Sequence, residues 1–103
     1  MRPSQPEAQA WLNRLRAAWA AKDVAALRQL GELSPSEERQ FRKNIADNDE
    51  YTVRIGDASI LLDSRAATIS FDRIDTDEGN DVVKPRKTVR LQRGPGGLVV
   101  VDR

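Results

Sequence analysis

Residues 65–103 hold three extended runs separated by turn signals, and this stretch limits the chain to an antiparallel sheet with one buried face. The runs are Arg65-Ala66-Ala67-Thr68-Ile69-Ser70-Phe71-Asp72, then Lys87-Thr88-Val89-Arg90-Leu91-Gln92, then Leu98-Val99-Val100-Val101. An acidic loop divides the first pair and Gly94-Pro95-Gly96-Gly97 divides the second. Centring the first turn near Gly79 sets Asp72 opposite Arg86, Ser70 opposite Thr88 and Thr68 opposite Arg90. On the other face Phe71 meets Lys87, Ile69 meets Val89 and Ala67 meets Leu91. Side chains alternate between faces along a strand, so one face is apolar and the other polar. Each polar cross-strand pair adds roughly 0.2–1 kcal/mol. Centring the second turn near Pro95 places Leu91 beside Val99 and Val89 beside Val101. Leu98 and Val100 then fall on the polar face with Arg90 and Gln92.

Everything upstream reads as cover for the apolar face. Ser4 and Glu7 form a capping box, and Pro6 is tolerated in a first helical turn. Trp11, Leu12, Leu15, Ala18 and Trp19 follow at helical spacing and make one apolar stripe, with Arg14, Arg16 and Lys22 off its centre. Asp23 caps a short second helix with Val24, Leu27 and Leu30 inward, stopped at Gly31. Ser34 and Glu37 form a second capping box with Pro35 at the first helical position. The helix over 35–46 buries Phe41 and Ile45 and exposes Glu38, Arg39, Arg42 and Lys43, with Glu38 and Arg42 paired at i,i+4. A polar loop, Asp47-Asn48-Asp49-Glu50, leads to the strand Tyr51-Thr52-Val53-Arg54-Ile55. Gly56-Asp57 bulges or kinks it, Ser59-Ile60-Leu61-Leu62 continues it, and Asp63-Ser64 turns the chain back. Three helices followed by about four neighbouring strands make an α+β two-layer domain spanning residues 1–103.

A chain of 103 residues is one domain able to bury a modest core. A net charge of +1 gives no bulk attraction to nucleic acid or to an anionic membrane. No cysteine is present, so there is neither a disulfide framework nor a thiolate metal site. Histidine is absent too, which removes the commonest general base and metal ligand. No apolar run approaches the ~20 residues that span a bilayer, and Met1-Arg2-Pro3-Ser4 opens no signal-peptide core. The expected location is cytoplasmic, or extracytoplasmic if the chain is a domain of a larger envelope protein.

With these elements in hand, Leu15-Arg16-Ala17-Ala18-Trp19-Ala20-Ala21-Lys22-Asp23-Val24-Ala25-Ala26-Leu27 resembles the first two helices of NTF2-like (SnoaL-like) proteins. There a long helix with a late aromatic precedes an x-D-x-x-A-L segment. Thr88-Val89-Arg90-Leu91-Gln92-Arg93-Gly94-Pro95-Gly96-Gly97-Leu98-Val99-Val100 resembles their final hairpin, with Leu98 where the family prefers tryptophan. The middle of the chain looks like a short bacterial branch in which a helix replaces the first hairpin, a form that recurs as an accessory domain. The resemblance implies a curved sheet wrapped round a long helix, a conical cavity between them, and frequent dimers through the outer sheet face. It implies no single activity, because this family hosts enzymes, transport factors and binding domains alike.

Several residues invite a functional reading beside a structural one. Trp11, Leu15, Trp19, Phe41, Tyr51, Val53 and Phe71 face inward, as core or as the lining of a small apolar pocket. Tyr51 could donate to a developing oxyanion, or sit as core with its hydroxyl at the rim. Asp75-Thr76-Asp77-Glu78-Gly79-Asn80-Asp81 spaces oxygen ligands but lacks the calcium-loop pattern, so a solvated turn is the better account. Lys84, Arg86, Lys87, Arg90 and Arg93 carry no interleaved aromatics for stacking bases and read as a salt-bridged face. Arg73 and Lys87 share the apolar parity near the hairpin tip; they form a cationic rim suited to an anionic ligand, or snorkel past the helix edge. Arg90, Gln92, Leu98 and Val100 are expected to form an interface for a homodimer or a partner protein, so that Val100→Asp gives a folded monomer. Two isolated apolar side chains shielded by Arg90 are the plainer alternative. No catalytic residue, cofactor or metal ligand is assigned. The preferred reading is a non-enzymatic interaction or ligand-sensing domain. The alternative is a small isomerase- or cyclase-like enzyme acting on an apolar substrate.

Overall fold

The computed structural model describes residues 3–48 and 50–102; Met1, Arg2, Arg103 and the Asp49 expected in a polar loop lie outside the described residues. Helix α1 (Gln5–Ala20) opens on the expected capping box, with the Glu7 N–H donating to Ser4 Oγ and the Ser4 N–H to Glu7 Oε1. Its buried side is Ala8, Trp11, Leu12, Leu15, Ala18 and Trp19. Helix α2 (Val24–Gln29) starts at Asp23, whose Oδ1 accepts the Ala26 N–H, and ends before Gly31. Gly31 has φ +76, and a Cβ there would stand 3.1 Å from Val100, so both backbone conformation and space favour glycine. Helix α3 (Pro35–Asp47) carries the second capping box at Ser34 and Glu37. Glu38 differs from the sequence expectation: it is half-buried between Arg42 and Arg28, which lie 3.1 Å from its two oxygens.

Among the described residues the fold is α+β, with three helices and an antiparallel open sheet of five strands. These are β1 (Thr52–Leu62), β2 (Ala67–Asp77), β3 (Asn80–Val83), β4 (Lys87–Gly94) and β5 (Gly97–Asp102). Their order is β1-β2-β4-β5, with β3 paired to the far end of β2. The inner face of the sheet carries Val53, Ala67, Ile69, Phe71, Val89 and Leu91, all buried in one cluster with the stripe of α1.

The β2–β4 register is the expected one, from Ala67 opposite Leu91 to Phe71 opposite Lys87. β2 runs longer than its apolar alternation indicated, and β3 is a strand additional to the four expected. Glu78 and Gly79, both at positive φ, turn the chain at the tip, where Asp77 pairs with Asn80. The tip and β4 differ in register by one residue, taken up in the segment holding Pro85, which has no N–H for a ladder. Arg86 still meets Asp72, through side chains 3.0 Å apart.

The β4–β5 register departs from the expectation by one position. Leu91 pairs with Val100, Gln92 with Val99, and Gly94 with Gly97. Pro95 and Gly96 thus form a two-residue loop, the commonest hairpin connection. One position inverts the faces of a strand. Leu98 is 8% exposed and joins the core, Val100 packs against it, and Val99 and Val101 are 46% and 48% exposed. The outward-facing apolar pair is therefore Val99 and Val101, not Leu98 and Val100.

β1 contains the expected bulge at Gly56-Asp57: Ile55 pairs with Arg73 and Ala58 with Phe71, so β1 holds one residue more than β2 there. Arg16 of α1 donates to the Gly56 carbonyl and Arg86 to that of Asp57, each at 3.4 Å. No helix among the described residues is long and apolar enough to cross a membrane.

Candidate functional site

The inner face of β2 changes character midway. Ala67, Ile69 and Phe71 lie under the helices, and the next two inward positions are Arg73 and Asp75. Asp75 faces Val53 across the ladder, and Tyr51 precedes β1. Asp75 is 6% exposed and Tyr51 5%. A carboxylate so buried needs compensation. It accepts from Arg73 Nε at 2.7 Å, from Arg73 Nη2 at 3.1 Å and from the Tyr51 hydroxyl. Lys84 Nζ stands 4.0 Å away.

The aromatic residues hold this group in place. The Arg73 guanidinium lies over the Trp19 ring at 4.6 Å, a cation–π contact. Trp19 meets Phe41 edge-on with centroids 5.1 Å apart, and Phe41 meets Tyr51 at 6.1 Å. Burial pushes the Tyr51 phenol above its ordinary value, and the bond to Asp75 adds to that shift. Burial works against the charge on Arg73, but the Asp75 carboxylate outweighs it and the guanidinium is held protonated above its ordinary value.

Beside this cluster a recess of about 390 Å³ opens between α3 and the connection from β3 to β4. Gln40 and Asn44 line one wall and Lys84, Pro85 and Lys87 the other, with Tyr51, Arg73 and Asp75 at the base. Lys87 donates to the buried Glu32 carboxylate at 2.9 Å. Gln40 donates to Asn44 Oδ1 at 2.9 Å. Arg73 and Lys87, read from sequence either as a cationic rim or as side chains snorkelling past the helix edge, both line this recess. Asp75 was read as part of an acidic turn, whereas it sits in β2 facing inward. The available signal was parity: Ile69, Phe71, Arg73 and Asp75 continue one alternation.

The seven inward residues — Trp11, Leu15, Trp19, Phe41, Tyr51, Val53 and Phe71 — all belong to the single core cluster. Phe41 and Tyr51 alone among them also border the recess or its extension along α3. The indole nitrogens of Trp11 and Trp19 are buried with no hydrogen-bond partner among the described residues. A second, apolar groove of about 530 Å³ runs beside α1, α2 and β5, floored by Ala17, Ala18, Ala21, Ala26 and Leu98.

On the outer face, Arg90 pairs with Asp63 at 2.9 Å and Gln92 lies opposite Val99. Ser70 and Thr88 share a hydroxyl hydrogen bond of 3.0 Å. At the tip, Asp81 Oδ1 accepts from Thr76 at 2.6 Å and its other oxygen pairs with Arg54 at 3.1 Å. No group of three or more acidic residues among the described ones could hold a metal ion. No family model matches the chain, and no curated protein matches it.

Proposed function

We propose that the chain is a non-enzymatic, NTF2-like binding domain that pairs with a second copy or a protein partner through the outer face and open edge of its sheet. The observation that carries this reading is the filled space between helix and sheet. Trp11, Trp19, Phe71, Leu15 and Ile69 are among the largest fully buried side chains of the protein. An apolar substrate held between helix and sheet would need that volume.

The acid–base chemistry supports the same reading. An oxyanion donor needs its proton free for the substrate. Tyr51 keeps its proton, held above the ordinary phenol value by burial, but that proton is committed to Asp75. Asp75 is in turn tied to Arg73. The alternative, an isomerase- or cyclase-like enzyme using Tyr51 as donor to an apolar substrate, requires the hydroxyl to leave Asp75 first. Pairing is supported by β5, an edge strand with Val99 and Val101 exposed beside it. A cytoplasmic location, or an extracytoplasmic one within a larger envelope protein, belongs to the same proposal.

Sedimentation velocity over a wide concentration range tests the self-pairing form. A dimer that Val99→Asp with Val101→Asp converts to monomer supports it. A wild-type monomer at every concentration removes the second copy and leaves a different protein as the partner to seek. A dimer that persists in the double variant places pairing elsewhere and overturns the edge.

A further inference from the structure

We infer that the recess between α3 and the segment around Pro85 is a binding site for the oxyanion group of a small organic acid. This rests on the reading of the chain as a binding domain only in treating the bound molecule as unchanged.

The argument begins with the charge count at the base. Two cations, Arg73 and Lys84, face the one buried carboxylate of Asp75. That carboxylate also accepts from the Tyr51 hydroxyl, so three of its roughly four acceptor positions are used. Lys87 is matched by Glu32. Arg86, at the mouth, is matched by Asp72 on the outer face. Glu37, the further acidic residue of the lining, accepts the Ser34 N–H through Oε1 as part of its capping box. Around Asp75 itself the cations Arg73 and Lys84 thus outnumber the carboxylate two to one, beside groups already removed from bulk water, while the Glu37 carboxylate stands on the α3 wall.

The donors are in excess as well. Arg73 spends Nε and Nη2 on Asp75 and Tyr51, and Nη1 makes no bond within the described protein. Its plane is fixed from below by the Trp19 ring, so the remaining edge is presented without rotamer freedom. Lys84 is nearly half exposed, and among the described residues its ammonium has the 4.0 Å approach to Asp75 alone. Asn44 accepts from Gln40 with its oxygen, which leaves its amide N–H groups unspent. A guanidinium edge, an ammonium and an amide donor lining one concavity match the lone pairs of a carboxylate or phosphate. The volume, about 390 Å³, lies at the small end of ligand sites and suits a compact acid. Pro85 and the aliphatic stem of Lys87 supply apolar contact for its carbon body.

The test is a ¹⁵N–¹H NMR titration of the full chain with succinate, citrate and inorganic phosphate. Succinamide serves as the uncharged control, and sodium chloride as the ionic-strength control. Saturable shifts at Tyr51, Arg73, Lys84 and Asn44, weakened about tenfold or more by Lys84→Gln at unchanged Tm, are expected. Saturation by the carboxylates assigns the oxyanion to an organic acid. Saturation by phosphate alone overturns that assignment. Shifts that sodium chloride or succinamide reproduces, or that Lys84→Gln leaves intact, overturn the site, as does no saturation by about 10 mM of any probe. The probe's own proton spectrum, followed in the same tube, separates the two readings. Conversion of a bound acid would end the non-enzymatic proposal while leaving the site in place.

Discussion

Tyr51 and Asp75, 24 positions apart, are joined hydroxyl to carboxylate where the inner face of the sheet passes from apolar to charged. The bond fixes the end of β2 to the entry of β1, and the Arg73 guanidinium closes it from the side of the aromatic core. Removing one partner from such a group leaves the others buried and uncompensated, which costs more than the bond itself contributes.

Tyr51→Phe is therefore expected to lower stability by about 1–2 kcal/mol, since Arg73 still satisfies the carboxylate. Asp75→Ala is expected to cost about 3–5 kcal/mol, because it strands Arg73 and the phenol together. Urea denaturation monitored by tryptophan fluorescence measures both. Equal losses for the two variants would mean that Arg73 finds water in place of Asp75.

Tyr51 is the one tyrosine of the chain, so its ionisation can be followed by absorbance without overlap from others. Its folded value is raised, first by burial and then by Asp75. The folded chain thus holds this proton more tightly than the unfolded one. The stabilisation is whole below the unfolded value of about 10 and disappears as pH rises through the folded value. The expected titration lies above that of a free phenol and coincides with loss of structure. Asp75→Asn, if it folds, should bring the midpoint down. A midpoint at the ordinary value in the wild type would show that the hydroxyl is solvated.

Three carboxylates, Asp63 and Asp81 exposed and Glu7 partly so, behave in the opposite sense. The Arg93 guanidinium and the Ser4 N–H hold Glu7 below its usual range, and the Arg65 and Ala66 N–H groups, then Arg90, do so for Asp63. Thr76 and Arg54 do the same for Asp81. Their contributions are present above the unfolded values near pH 4 and are lost as pH falls through the lowered folded values. Acid unfolding should steepen there and shift with salt, because all three are open to solvent. Asp63→Asn should flatten the acid limb; an unchanged limb would remove the turn at Asp63 as a contributor.

The register of β5 is testable by charge placement. Val100→Asp and Leu98→Asp put a carboxylate against the core and are expected to cost about 3 kcal/mol or more. Val99→Asp should stay within about 1 kcal/mol in a monomeric sample. The soluble monomer expected of Val100→Asp on the unshifted register is replaced by a destabilised chain. Gly31→Ala tests the same contact from the helix side, losing about 1–2 kcal/mol through its positive φ and the crowding of Val100. If Val99→Asp and Val100→Asp exchange places in this ranking, the register is the unshifted one.

What the sequence reveals depends on how sharply each residue distinguishes one face from the other. The caps at Ser4, Asp23 and Ser34 were legible because a short polar side chain beside a helical stripe has one use there. The pairing of β2 with β4 was legible because Ile69, Phe71, Val89 and Leu91 alternate with polar neighbours on both strands. Leu98-Val99-Val100-Val101 offers no such contrast, since either parity is apolar, and the turn alone had to set the register. Pro95 and Gly96 set it one position from a turn centred on Pro95. Arg73 was legible by its apolar parity, but its partner Asp75 was hidden for a related reason. A carboxylate close to Asp77 and Glu78 looks like loop, and its bonds to Arg73 and Tyr51 explain why it turns inward.

The bulge in β1 separates curvature from sidedness. Tyr51, Val53 and Ile55 point inward before it, and Ala58 and Ile60 after it, so the extra residue shifts the count by one without exchanging inside for outside. Excising Asp57 alone would restore a regular ladder opposite β2 and leave every other β1 side chain on its present side. Such a shortened chain would keep its core assignment while losing the local bend and the carbonyl that Arg86 reaches. Strand length at this point is thus a free variable of the fold, and a sequence one residue shorter here would still encode the same interior.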